Sequence, residues 1–111
     1  AGLAPEDERR FLSVTLRQIE QDAATLTALD RVWASGDADT LGRLLDAQWR
    51  EAGPAIHEAV ILRRNRAWAD AVAERLEGSG RVFVAVGAAH LVGEDSVVDL
   101  LRARGIEVEG P

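Results

Sequence analysis

Arg81-Val-Phe-Val-Ala-Val-Gly-Ala-Ala-His-Leu-Val-Gly-Glu-Asp95 is the stretch on which the fold turns. Val82 to Val86 is an apolar run of β-branched and aromatic residues, short enough to be a strand buried on both faces. Gly87 ends the run, His90 follows three residues later, and Gly93 precedes the acidic pair Glu94 and Asp95. Val97, Val98, Leu100 and Leu101 then recur at helical spacing as far as Arg104, and Gly105 closes that segment. Ile106-Glu-Val-Glu109 alternates as an edge strand does. A strand, helix and strand of this length form a right-handed parallel crossover. In such a sheet, ligands bind just beyond the carboxyl ends of the strands. The turn carrying His90 sits there.

Upstream the pattern is helical. Leu12, Leu16, Ile19, Ala23, Leu26, Asp30 and Trp33 fall at alternating steps of four and three, the face of one long amphipathic helix over 6–34. Ser35-Gly36-Asp37 breaks it, with Asp37 or Asp39 capping a second helix over 38–51 that buries Leu41, Leu44 and Leu45. Ala52-Gly53-Pro54 is the next break, and Pro54 opens a third helix over 54–77. Its apolar stripe is Ile61, Asn65, Trp68, Val72 and Leu76. Trp33, Trp49 and Trp68 read as core. The fold expected is therefore α/β: three N-terminal helices, a strand over 81–86, a helix over 95–104 and a parallel strand over 106–109, in one domain spanning 1–111.

Two polar residues interrupt the third helix's apolar face. Arg64 lies at i±4 from Val60 and Trp68, and Asn65 lies between Ile61 and Trp68. A buried guanidinium or amide without a partner costs several kcal/mol, so each needs one. Arg64 can pair with a core-edge carboxylate and Asn65 can cap a backbone group. Alternatively, one or both stand beside His90, orienting it or holding an anionic substrate group. Arg63 and Arg66 project to solvent, and His57 is exposed or structural. His90 can serve as metal ligand, general base or hydrogen-bonded structural histidine. Gly87 and Gly93 give it access, because small residues let the chain bend sharply and a ligand come close. A catalytic metal generally needs about three protein ligands, and Glu94 and Asp95 are the local candidates, each equally suited to capping the following helix.

Three motifs carry a resemblance. Gly87-Ala-Ala-His90-Leu-Val-Gly93 resembles the second Gly-x-x-His motif of the TraB/GumN family, which includes the Tiki proteases. Leu62-Arg-Arg-Asn65-Arg-Ala-Trp68-Ala is similar to that family's Arg-Asn-x-x-Trp/Met-Ala segment, and Val32-Trp33-Ala-Ser-Gly36-Asp37 to its Trp-x-x-Gly-Asp turn. The matches stand in the family's order. Family members are longer, and their first Gly-x-x-His motif, which shares the proposed metal site, lies in an N-terminal half that is missing here. The resemblance thus implies the C-terminal part of a metal-dependent, peptidase-like hydrolase, inactive alone. His90 would be the divalent-metal ligand or catalytic histidine, with Arg64 and Asn65 stabilising charge or positioning ligands. The missing N-terminal half is the implied partner, a peptide or small molecule the implied substrate, and a bacterial envelope, periplasmic or secreted setting the implied location. The competing reading is a non-catalytic binding or regulatory module that uses the helical face of residues 12 to 33, for instance as a homodimer.

Composition bounds the rest. At 111 residues the chain makes one modest core, and its 47 % hydrophobic and 29 % charged content is that of a globular protein. A net charge of −6 argues against nucleic acid, which needs a clustered basic face. The absence of cysteine excludes disulfides and thiolate metal sites. No run approaches the roughly 20 apolar residues of a membrane span.

Overall fold

The computed structural model describes residues 2–21 and 23–110. Helices α1 (Pro5–Gln21), α2 (Ala23–Ser35), α3 (Ala38–Ala52), α4 (Pro54–His57), α5 (Arg63–Leu76) and α6 (Val97–Ala103) follow one another along the chain. A π-helical turn, Glu58–Leu62, joins α4 to α5, and a 3₁₀ turn, Ala88–His90, stands between α5 and α6. Among the described residues the molecule is all helical and holds no sheet. This overturns the α/β expectation and its strand–helix–strand unit.

The physical reasons differ at the two expected strands. Residues 81–86 form no strand and pair with nothing among the described residues, and Phe83 is 92 % exposed. A strand needs a neighbour's backbone groups, which no local apolar run supplies. Over 106–109 the alternation is real: Ile106 and Val108 are half-buried while Glu107 and Glu109 are exposed. They pack, however, on a helical cluster of Ala69, Val97 and Leu101 instead of on a strand. The Ile106 N–H donates to the Leu101 carbonyl at 3.2 Å. Arg102 then holds the tail back, donating to the carbonyls of Val108 at 3.1 Å and Gly110 at 3.0 Å. An ion pair between Arg104 and Asp70 ties the end of α6 to α5.

The expected 6–34 helix is described as α1 and α2 on either side of Asp22, which lies outside the described residues. The periodicity there is real, but most of the stripe stays in water: Leu12, Leu16, Leu26 and Trp33 are exposed, and Ile19 is 72 % so. Trp33, expected in the core, is 67 % exposed. Leu44 and Leu76 also lie at the surface. Among the described residues of α1 only Val14 is buried, and the helix packs against α3 and α4. Arg10 reaches across that junction to the Glu51 carbonyl at 3.4 Å. Leu41 and Ala52 of α3, Ile56 of α4 and Ile61 of the π turn are also buried.

Local capping explains where α3 and α6 begin. The Thr40 N–H donates to Asp37 Oδ1 at 2.9 Å, and that bond holds the Asp37 carboxyl below its ordinary range. Ser96 is the cap of α6: its hydroxyl accepts from the Asp99 N–H at 3.1 Å. Pro54 takes the first turn of α4, where a missing N–H costs nothing. The π turn is closed by the Arg63 N–H bonding five residues back to the Glu58 carbonyl.

Candidate functional site

The site is built where α5 meets the turn Ala88–His90 that follows residues 81–87. Gly87 enters the turn in extended conformation, and the N–H groups of His90 and Leu91 bond back to the carbonyls of Gly87 at 3.0 Å and Ala88 at 2.9 Å. This tight 3₁₀ closure fixes the His90 backbone and leaves its side chain half-buried.

From α5, Asn65 and Trp68 meet the ring together, because residues three apart share a helix face. Asn65 is 0 % exposed, and its Oδ1 lies 2.7 Å from His90 Nδ1. Its Nδ2 donates to the Asp95 carbonyl at 2.9 Å. The Trp68 ring stands edge-on to the imidazole, with centroids 4.7 Å apart at 63°. The amide fixes the tautomer. A backbone carbonyl only accepts, so the amide nitrogen must face Asp95 and the amide oxygen must face the ring. An amide oxygen also only accepts, so Nδ1 carries the hydrogen and Nε2 keeps the lone pair. Burial, and secondarily the Arg64 guanidinium nearby, hold the His90 pKa below its ordinary value. The imidazole is therefore neutral near pH 7.

The remaining sequence-derived residues fall as follows. Arg64 is exposed and has no ion pair among the described residues, so it does not interrupt a buried face; it lies at the edge of one. Arg66 pairs with Glu58, and Arg63 is exposed. His57 stacks on Trp49 with centroids 5.5 Å apart. Gly87 has open space where a side chain would be. Gly93 is the opposite case: its φ is +84°, and a Cβ there would sit 2.7 Å from Asp46 Oδ1. Only glycine fits. Glu94 and Asp95 engage the structure through backbone groups, Glu94 N–H to Asp46 Oδ2 at 3.4 Å and the Asp95 carbonyl to Asn65.

Sequence reasoning did not find Asp46 or Gly42. Gly42 is buried within α3, and a Cβ on it would lie 2.8 Å from the Gly93 nitrogen. The signal was present: a mid-helix glycine costs about 1 kcal/mol relative to alanine and so points to close backbone approach. Two open clefts flank the loop after His90. One, of about 320 Å³, is lined by Gly42, Asp46, Gly93, Glu94 and Asp99 among others. The other, of about 350 Å³, is more apolar and is lined by Trp33, Leu41, Ala88, Leu91 and Val98 among others. The His90 ring lines neither.

The model of the TraB/PrgY/gumN family matches residues 1–110. The chain belongs to that family. Comparison with curated proteins gives no match, and comparison with solved structures gives none. Among the described residues of this TraB/PrgY/gumN chain, no three His, Asp or Glu side chains stand together as a ligand set for a metal ion. The donors among the described residues do not make a catalytic metal centre by themselves. No helix among the described residues is long and apolar enough to cross a membrane.

Proposed function

We propose that this TraB/PrgY/gumN chain furnishes a neutral imidazole, His90, with Asn65 and Arg64 beside it, to a peptidase-like hydrolytic site. The observation that carries the reading is the Asn65–His90 bond, anchored on the far side by the Asp95 carbonyl. It leaves Nε2 as the basic nitrogen. That atom takes a proton from water as the water oxygen bonds to a substrate carbonyl carbon, and later returns it to the departing amine. Asn65 Oδ1 accepts from Nδ1–H throughout, so the ring neither flips nor changes tautomer between the two transfers. The depressed pKa keeps the base unprotonated at neutral pH, and Arg64, exposed and close enough to act on the ring's charge, would meet developing negative charge.

The divalent metal implied by the family likeness belongs to this proposal only in part. His90 Nε2 has a single lone pair, so in a metal-loaded site it would be one donor instead of the base, and the further ligands would come from the first Gly-x-x-His motif. If bound, such an ion would lower the pKa of water and polarise the carbonyl.

The experiment is hydrolysis of internally quenched peptides by the protein as encoded, with and without chelator. His90→Ala should cut the rate at least roughly 100-fold, and Asn65→Ala by about 10- to 100-fold. Hydrolysis that is indifferent to His90→Ala would end the reading, whereas chelator sensitivity decides only the metal's part.

A further inference from the structure

We infer that Gly42 and Asp46 of α3 are positioning residues for the His90 ring, acting through the loop Leu91–Asp95. The path is continuous. Gly42 brings the α3 backbone so close that a Cβ would stand 2.8 Å from the Gly93 nitrogen and 3.0 Å from its Cα. Asp46, one turn later on the same face, sets its carboxylate against the same glycine and accepts from the Glu94 N–H at 3.4 Å. The loop is thereby both pressed and tethered by the same face of α3.

Its next residue, Asp95, is held at φ +56°, an uncommon conformation for a residue with a side chain. That conformation belongs to the carbonyl that receives Asn65 Nδ2. The amide has only one orientation compatible with this carbonyl, and that orientation presents Oδ1 to His90 Nδ1. If the Asp95 carbonyl moves, the amide is free to turn over, offering its NH₂ to Nδ1 and moving the ring hydrogen to Nε2. The nitrogen that should act as base would then be blocked. Neither Gly42 nor Asp46 touches the ring, so neither is catalytic.

The inference rests on the hydrolytic reading only for its effect on rate; its primary readout is which ring nitrogen bears hydrogen. The test is long-range ¹H–¹⁵N correlation of the histidine rings at about pH 8, where the imidazole is neutral. The protein as encoded should show His90 with Nδ1 protonated and Nε2 bare. Asp46→Ala should lower the ratio of the two tautomers by about fivefold or more, the worth of a typical hydrogen bond. Asp46→Asn, which keeps an acceptor for the Glu94 N–H, should restore it. Gly42→Ala pushes the same loop without removing a hydrogen bond, and should scramble the tautomers as Asp46→Ala does. It also decides the matter should Asp46→Ala lose its helical circular dichroism. A folded Asp46→Ala or Gly42→Ala protein with the original tautomer population would overturn the inference. That outcome leaves the hydrolytic reading standing. Conversely, peptide hydrolysis indifferent to His90→Ala removes that reading and leaves the tautomer expectation in force.

Discussion

His90 is flanked by two segments of similar length and opposite character. Before it, residues 82–86 are apolar, unpaired and largely bare. After it, Leu91–Asp95 is fixed by Asp46, pressed by Gly42 and read by Asn65. Hydrophobicity alone would have ranked the first segment as the ordered, buried one. The difference teaches that apolar residues state a need for cover without supplying it. Polar groups with one feasible partner each are satisfied within the chain that carries them.

The comparison can be broken most forcefully at Asn65. Asn65→Ala empties a fully buried position and strips partners from both His90 and the Asp95 carbonyl. We expect a loss of about 3 kcal/mol in urea unfolding; a loss below about 1 kcal/mol would mean that the network contributes little. Gly93→Ala comes next, at about 2 kcal/mol, since it adds a strained φ and a contact with Asp46. Gly87→Ala, three residues before His90 but in open space, should stay within about 0.5 kcal/mol in the same melts. Equal costs at the two glycines would erase the contrast between clamped and unclamped sides.

A smaller effect follows from the imidazole. Its folded-state pKa lies below the ordinary 6.5, so the unfolded chain binds more protons in the interval between. The stability it contributes is present above pH 6.5 and is lost as pH falls through the folded value. Unfolding midpoints should therefore fall more steeply with acidification in the original protein than in His90→Ala; parallel curves would show the ring titrates as it does unfolded. The smallest effect is expected on the bare side. Phe83→Ser should change stability by no more than about 0.5 kcal/mol while lowering the binding of an apolar dye. A large destabilisation would mean the segment is packed in solution.

Much of the helical part could be read from spacing: breaks at Gly36 and Gly53, a start at Pro54, the stop at Gly105. What spacing could not give was cover. Leu12, Leu16, Ile19, Leu26 and Trp33 do share a stripe, yet nothing among the described residues buries them, because a period reports a face and not what lies against it. The 81–86 strand failed for the same reason, since pairing is a property of two segments. In the site, Asn65 was legible because an amide in the middle of an apolar stripe must find a partner. Arg64, one residue away and about 100° round the helix, was misread. Its neighbours Val60 and Trp68 are only half-buried, so its face is a border. Asp46 and the Asp95 carbonyl carry no pattern of their own and became visible only in three dimensions.

The widened turn at Glu58–Leu62 sets the phase of everything downstream. An inserted or deleted residue there swings the far half of the helix by about 100°, enough to carry Asn65 away from the imidazole. Chain length within those five residues is thus as much a part of the site as the identity of His90. Deleting Ala59 should extinguish the Asn65–His90 bond in ring-nitrogen spectra while the helix itself survives.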